Sequence, residues 1–373
     1  MRGRAAIAAV VLAAVVAACR DRVPETTATT ATSSATNPRL SALTRATVWA
    51  APRVPPARVD FTANTPGSGA LDAAAVVDCE FVVKPIGGTS PKFYCKLADG
   101  DVVKVKYGDA NPEVPAEVAA SRLLSALGFF VDRMMLVKSV RCRGCPPFPA
   151  QALQCVQKSG ATALCLQGSS PETVRTFDRV MIERPFDGED IDAGDDEGWA
   201  WFELDRVDQK AGGSPRAHVD ALRLVAVLLA HWDNKAGNQR LVCPPGAGGA
   251  NGACRTPFAV VHDLGATFGP LKADLQNWKQ APIWADARSC RATMASLPYH
   301  GSTFADVQIS EAGRTLTVKL LRMLSESQLD ALFESSGFST FPHVLAEARN
   351  PQAWTRVFLQ KVDEIASAGP CPS

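Results

Sequence analysis

Eleven cysteines in a 373-residue chain constrain this fold more than any other feature. A reducing compartment gives little use for so many thiols, whereas an oxidising one turns them into crosslinks. Ten remain once Cys19 is set aside, and most fall in near pairs: Cys79 with Cys95, Cys142 with Cys145, Cys155 with Cys165, and Cys243 with Cys254. Cys290 and Cys371 are left over. The order along the chain does not prove connectivity. A zinc site at Cys142-Arg-Gly-Cys145 is the rival reading, and it lacks a second ligand pair at zinc spacing.

The N-terminus agrees with export. Arg2 and Arg4 precede the apolar run AAIAAVVLAAVVAA, too short for a comfortable membrane span and arranged like a secretory signal. Ala17-Ala18-Cys19 resembles the lipobox of bacterial lipoproteins, which implies removal of residues 1–18 and lipidation of Cys19. Arg20, rather than Asp, follows that cysteine and leans towards the outer membrane or periplasmic face of a bacterial envelope. Residues 19–74 are rich in Ala, Thr, Ser and Pro, without periodicity, and are expected to be a disordered tether. The net charge of +1 excludes a bulk electrostatic attraction to nucleic acid.

Beyond residue 75 the front half reads as strands. KFYCKLADGDVVKVKY forms two strands about a tight turn at Asp99-Gly100. A helix follows over NPEVPAEVAASRLLSALG, with Pro115 near its start and Gly128 as its stop. VDRMMLVKSVRC and RVMIERPF look like further strands. From His218 onward the pattern turns helical, opening with the strongly apolar HVDALRLVAVLLAHW. Strands first and helices after give an α+β class.

Four residues then arrive at fixed spacing: His231, Asp233, Lys235 and Asn238. They resemble the protein-kinase catalytic loop H-R-D-x-K-x-x-N, with Trp232 where the arginine stands. Asp263-Leu264-Gly265, at the end of an apolar strand, is similar to the D-F-G segment. The resemblance runs over roughly residues 78–345 and is nearer to the divergent secreted, Golgi-type and phosphoinositide-kinase-like branch. No A-P-E motif follows Asp263. It implies a bilobal fold, with a β-rich N-lobe at 75–191 and a mainly helical C-lobe at 192–373. It also implies ATP with Mg²⁺ (or Mn²⁺), and a protein or small-molecule hydroxyl as acceptor.

The roles implied follow from phosphoryl-transfer chemistry, which needs positioning and charge neutralisation. Asp233 would orient the attacking hydroxyl, with Lys235 and His231 beside it. Asn238 and Asp263 offer oxygen ligands to a hard cation. A strand lysine held by Glu117 would meet the phosphates. Lys104 and Lys106 both qualify, sharing one strand face, and Lys106 is preferred because it lies nearer the strand end. Gly87 and Gly88 stand in for a phosphate-covering loop without matching its glycine pattern. Glu183, next to Pro185, would line the base site through its backbone. His218, His262, His300 and His343 read as structural, with His262 as a contact behind Asp263. CPPGAGGANGAC reads as a disulfide-closed hairpin at the edge of the site. Two other classes stay open: a pseudokinase that binds a partner without catalysis, and an AMP transferase on the same fold.

Overall fold

A computed structural model describes residues 37–193, 197–249, 253–298 and 302–372. The signal segment, Cys19 and His300 lie outside the described residues. Short helix α1 (Pro38–Thr44) is followed by strands β1 (Val76–Val82), β2 (Lys92–Leu97) and β3 (Val102–Lys106). Helix α2 (Glu113–Leu127) and strand β4 (Arg133–Arg143) come next. Two helices, α3 (Pro149–Ser159) and α4 (Thr162–Cys165), precede β5 (Val174–Arg184) and the short β6 (Glu189–Asp190).

The strand-rich part closes as a barrel in the order β1-β2-β3-β5-β4. Its pairs are antiparallel except β1 with β4, which run parallel. Alternation explains the closure. In β1, Val77 and Cys79 point inward while Val76, Asp78 and Glu80 face out. Phe93, Val105, Val137, Val140 and Ile182 fill the interior. Gly100 takes φ +93 at the β2–β3 turn, which a side chain would resist.

Helix α5 (Arg216–Leu228) opens the second part, followed by β7 (Gln239–Cys243), β8 (Phe258–Val261) and α6 (Leu275–Gln280). Strands β9 (Trp284–Asp286), β10 (Arg291–Ala292) and β11 (Val307–Gln308) form a small sheet. Helices α7 (Glu311–Leu321), α8 (Glu326–Ser335) and α9 (Pro351–Ser367) complete the chain. A second, larger core lies here, with Leu222, Val225, Phe268, Trp278, Phe333, Trp354 and Phe358 fully or almost fully buried. The molecule is thus mixed α+β, strands leading and helices following. No helix among the described residues is long and apolar enough to cross a membrane.

The expected tether ends sooner than residue 74. Residues 37–66 run as a strap across the body: Leu43, Ala46, Val48 and Phe61 are buried in the larger core. Thr47 bridges to β8 through the Ala259 N–H at 3.0 Å and the Pro257 carbonyl at 2.8 Å. Trp49 Nε1 donates to the Leu127 carbonyl at 2.7 Å. These apolar residues are few and scattered between Pro, Thr and Ala, so no period marks them. At the end of α2, Gly128 has φ +93, and a β-carbon there would meet the Ala50 carbonyl at 2.2 Å. The strap therefore requires glycine at that position.

All ten cysteines pair, in chain order: Cys79–Cys95, Cys142–Cys145, Cys155–Cys165, Cys243–Cys254 and Cys290–Cys371. The zinc alternative at Cys142 and Cys145 is displaced by a disulfide. Gly248 pairs with Cys254 across the loop that Cys243–Cys254 closes.

Candidate active site

Strand β3 and helix α2 build the centre. Lys106 is fully buried at the end of β3, and its Nζ lies 2.6 Å from Glu117 Oε2 and 3.1 Å from Glu113 Oε2. The two glutamates stand one turn apart on the same face of α2. Asp263 approaches from the far side of the chain, with Oδ1 at 3.5 Å from Lys106 Nζ. Burial alone would lower the Lys106 pKa, but Asp263, Glu117 and Glu113 outweigh it and hold the ammonium charged. Burial would likewise raise Asp263, and Lys106 and Lys104 instead keep it well below the usual carboxylate range.

Three carboxylates around one lysine leave negative charge in excess. Glu117, fully buried, takes the consequence: burial pushes it up to about 8 against the pull of Lys106. Its Oε1 has no hydrogen-bond partner among the described residues. Glu113 is drawn down to about 2, because Lys106 and Lys272 overcome its burial.

The loop from His231 to Asn238 is tied to the Asp263 segment. Leu229 caps helix α5, and Ala230 turns the chain with φ +53, a strained value for a residue bearing a side chain. His231 is buried, and burial pushes its pKa down to about 4, so the ring is neutral. The Asn238 carbonyl accepts from the His262 and Asp263 N–H groups at 3.1 and 3.2 Å. Asn238 Nδ2 donates to the Asp233 carbonyl at 2.5 Å. Its Oδ1 accepts no hydrogen bond among the described residues. Lys235 Nζ sits 3.1 Å from Asp233 Oδ1, both side chains partly open to solvent. Asn234 fixes the loop from beneath, taking the Thr303 and Phe304 N–H groups at 2.9 and 3.1 Å. Trp232 is buried against the segment after Asp263, its Nε1 donating to the Gly269 carbonyl at 3.2 Å.

A cleft of about 360 Å³ opens beside this centre. Lys104, Glu183, Pro185, Gln239, Arg240 and His262 contribute to its wall. Lys104 and Lys106 thus have different partners: Lys104 Nζ pairs with Glu183 at 2.7 Å, not with Glu117. The Glu183 carboxylate reaches the cleft, whereas its backbone is in ladder register with Lys104 and Met134. That corrects the expected backbone role, because a central strand leaves no free backbone groups. Gly87 and Gly88 are exposed and do not line the cleft; Lys84 and Tyr94 reach it from the first hairpin instead.

Several residues escaped the sequence reading. Lys92 is cross-strand partner to Lys106 and 8 % exposed; burial lowers its pKa, with Lys106 adding repulsion. The register of the Asp99-Gly100 hairpin was the available signal. Glu113 was signalled by its four-residue spacing from Glu117. Asp132 had no signal. It is fully buried, accepts from the Phe186 N–H at 2.7 Å and Arg240 Nη1 at 3.0 Å, and bonds His262 Nδ1. His262 is therefore a crosslink behind Asp263. Asp132, Glu183 and His262 cluster tightly, but Arg240 and Lys104 already neutralise the carboxylates.

No protein-family model matches the chain, and no curated protein matches its sequence. Among solved structures it is similar to the proinflammatory kinase CtkA of Helicobacter pylori, at 13% identity and a TM-score of 0.42. That alignment covers 79% of this chain and 95% of the other. A likeness so distant carries no argument, and the chemistry must be read from the site itself.

Proposed function

We propose that this chain is an ATP-dependent phosphotransferase of kinase type, anchored by lipid at Cys19 on the outer-membrane or periplasmic face of a bacterial envelope. One observation carries the reading: a strand lysine, Lys106, is held by a helix glutamate, Glu117, within 3.5 Å of Asp263. Asp263 is in turn bonded through its backbone to Asn238, whose amide is fixed on the Asp233 carbonyl. The export signals and five disulfides support the location.

The residues fit a nucleotide with a divalent cation. Asp263 and Asn238 present oxygens, which Mg²⁺ or Mn²⁺ prefers, and the Asn238 amide is turned by its Nδ2 bond so that Oδ1 is left for a ligand. Bound Mg²⁺ supplies charge neutralisation on the phosphates. Lys106 would hold phosphate oxygens, its position set by Glu117. Asp233, at the accessible edge of the loop, would accept the proton of an acceptor hydroxyl, and Lys235 would balance the charge that develops there. His231 holds the loop as a neutral, buried ring and moves no proton. The acceptor is a protein or small-molecule hydroxyl.

Calorimetry tests the reading. The protein binds ATP in a Mg²⁺-dependent manner, and Asp263→Ala abolishes that binding while the fold is kept. Asp233→Asn retains binding and loses about 10²–10⁴-fold in turnover. A folded protein that binds no nucleotide overturns the proposal.

A further inference from the structure

Arg122 is 2 % exposed in the middle of α2, and among the described residues it meets no carboxylate. Its Nη1 donates to the Ser335 hydroxyl at 2.7 Å and the Phe61 carbonyl at 3.3 Å; Nη2 donates to Asn64 Oδ1 at 2.5 Å. Every one of these acceptors is neutral, and Nε has none among the described residues. A guanidinium keeps its charge in a protein, and buried charges are ordinarily paired. Burial without an anion pushes this one down to about 10.

Arg122 is also part of the wall of a cavity of about 440 Å³ between the strap and α2, well apart in sequence from the cleft residues. Pro52, Val54, Val59 and Phe61 give it apolar sides; Arg53 and Arg58 stand exposed at its rim. Asp60 is the one carboxylate in the wall, and it is engaged by the Thr62 N–H and hydroxyl at 2.8 and 2.6 Å. Three arginines against one aspartate leave positive charge in excess. The volume is that of a small-molecule site.

We infer that this cavity is a binding site for a small amphipathic anion, a carboxylate or phosphate head on a short apolar chain, with the head on the arginines and the chain against the strap. The proposal does not depend on the phosphotransferase reading. An occupant held by Arg122 bears on α2, the helix that carries Glu117.

Calorimetry on the full chain, with octanoate, octyl phosphate, octanol and inorganic phosphate as probes, tests it. Octanoate or octyl phosphate binds saturably, at least tenfold more tightly than octanol or inorganic phosphate; which of the two binds better assigns the head. Affinity falls at least tenfold in Arg122→Gln. Because that variant removes buried hydrogen bonds, the exposed pair Arg53→Glu with Arg58→Glu is measured beside it, at unchanged Tm, with the same loss expected. Octanol binding as tightly as octanoate makes the cavity an apolar hollow and overturns the proposal. So does anion binding that is absent, or that is unchanged in the rim variant.

Discussion

Replacing Lys106 by methionine separates the two strand lysines and tests the charge balance at the centre. Glu113 keeps Lys272 as a partner, and Asp263 keeps the Gly265 N–H at 3.1 Å. Glu117 keeps no partner among the described residues: it is fully buried, and the short contact it makes there is to Lys106. Once ionised, an orphaned buried carboxylate costs about 3–5 kcal/mol. Lys104→Met leaves Glu183 with His262 Nδ1 at 3.8 Å and costs less, about 1–3 kcal/mol. The loss in Lys106→Met depends on pH in a defined sense. Glu117 already has a folded pKa near 8 against an ordinary 4.5, and removing Lys106 raises it further. Between pH 4.5 and 8 both folded proteins hold Glu117 protonated and lose the same stability, so the extra penalty in Lys106→Met is absent below about pH 8 and grows as pH rises above it. Adding Glu117→Gln removes the orphaned charge and restores at least half of the lost stability. Urea denaturation of Lys106→Met, Glu117→Gln and the double variant, at about pH 7 and about pH 9.5, gives the coupling energy directly. A Lys106→Met protein as stable as the parent at about pH 9.5, or one that Glu117→Gln does not rescue there, would refute the reasoning.

Two further outcomes are expected away from the centre. Lys361 is 3 % exposed, donates to the Ala281 carbonyl at 2.6 Å, and is pushed by burial down to about 8 from 10.5. The unfolded chain holds that proton more tightly, so stability rises between pH 8 and 10.5, by about 3 kcal/mol at 1.36 kcal/mol per unit. Lys361→Met flattens that rise, as chemical denaturation across this range will register. Removing Cys290–Cys371, which spans 81 residues, costs about 4.5 kcal/mol on the chain-entropy account, against about 2.7 for Cys155–Cys165, which spans 10. Paired serine variants, compared by denaturant midpoint, give the two values.

The parts of this molecule written in local pattern were legible in the sequence. The Asp99-Gly100 hairpin, the helix from Glu113 to Gly128 and the apolar α5 follow from turn chemistry and periodicity, and the structure contains all three. Lys106, Glu117, Asn238 and Asp263 are expected together from their spacing, and the structure brings Lys106 to Glu117 and Asp263 and ties Asp263 to Asn238. Asp132 could not be expected, since its value lies in meeting Phe186, Arg240 and His262, residues 54 to 130 positions away. The strap failed for a related reason. Its composition is that of a linker, and only the space left beside α2 and β8 makes Val48 and Phe61 core residues. Gly87 and Gly88 lie on an exposed turn, Gly88 beside Lys92, which pairs across the strands with Lys106.

The order of the disulfides has a consequence for biogenesis. Each of the ten bridged cysteines pairs with its neighbour in the chain, so oxidation in chain order makes the right bridges by joining neighbours. Four loops close within 16 residues and need no distant partner. The barrel is where that simplicity is at risk. Cys79 sits across from Cys142 on neighbouring strands, and the sulfurs of Cys95 and Cys142 lie 4.0 Å apart. Three sulfurs within reach of one another can trade partners by thiol attack. Early closure of the three-residue Cys142–Cys145 loop withdraws Cys142 from that exchange, so the smallest ring in the molecule guards the pairing of the largest β-structure.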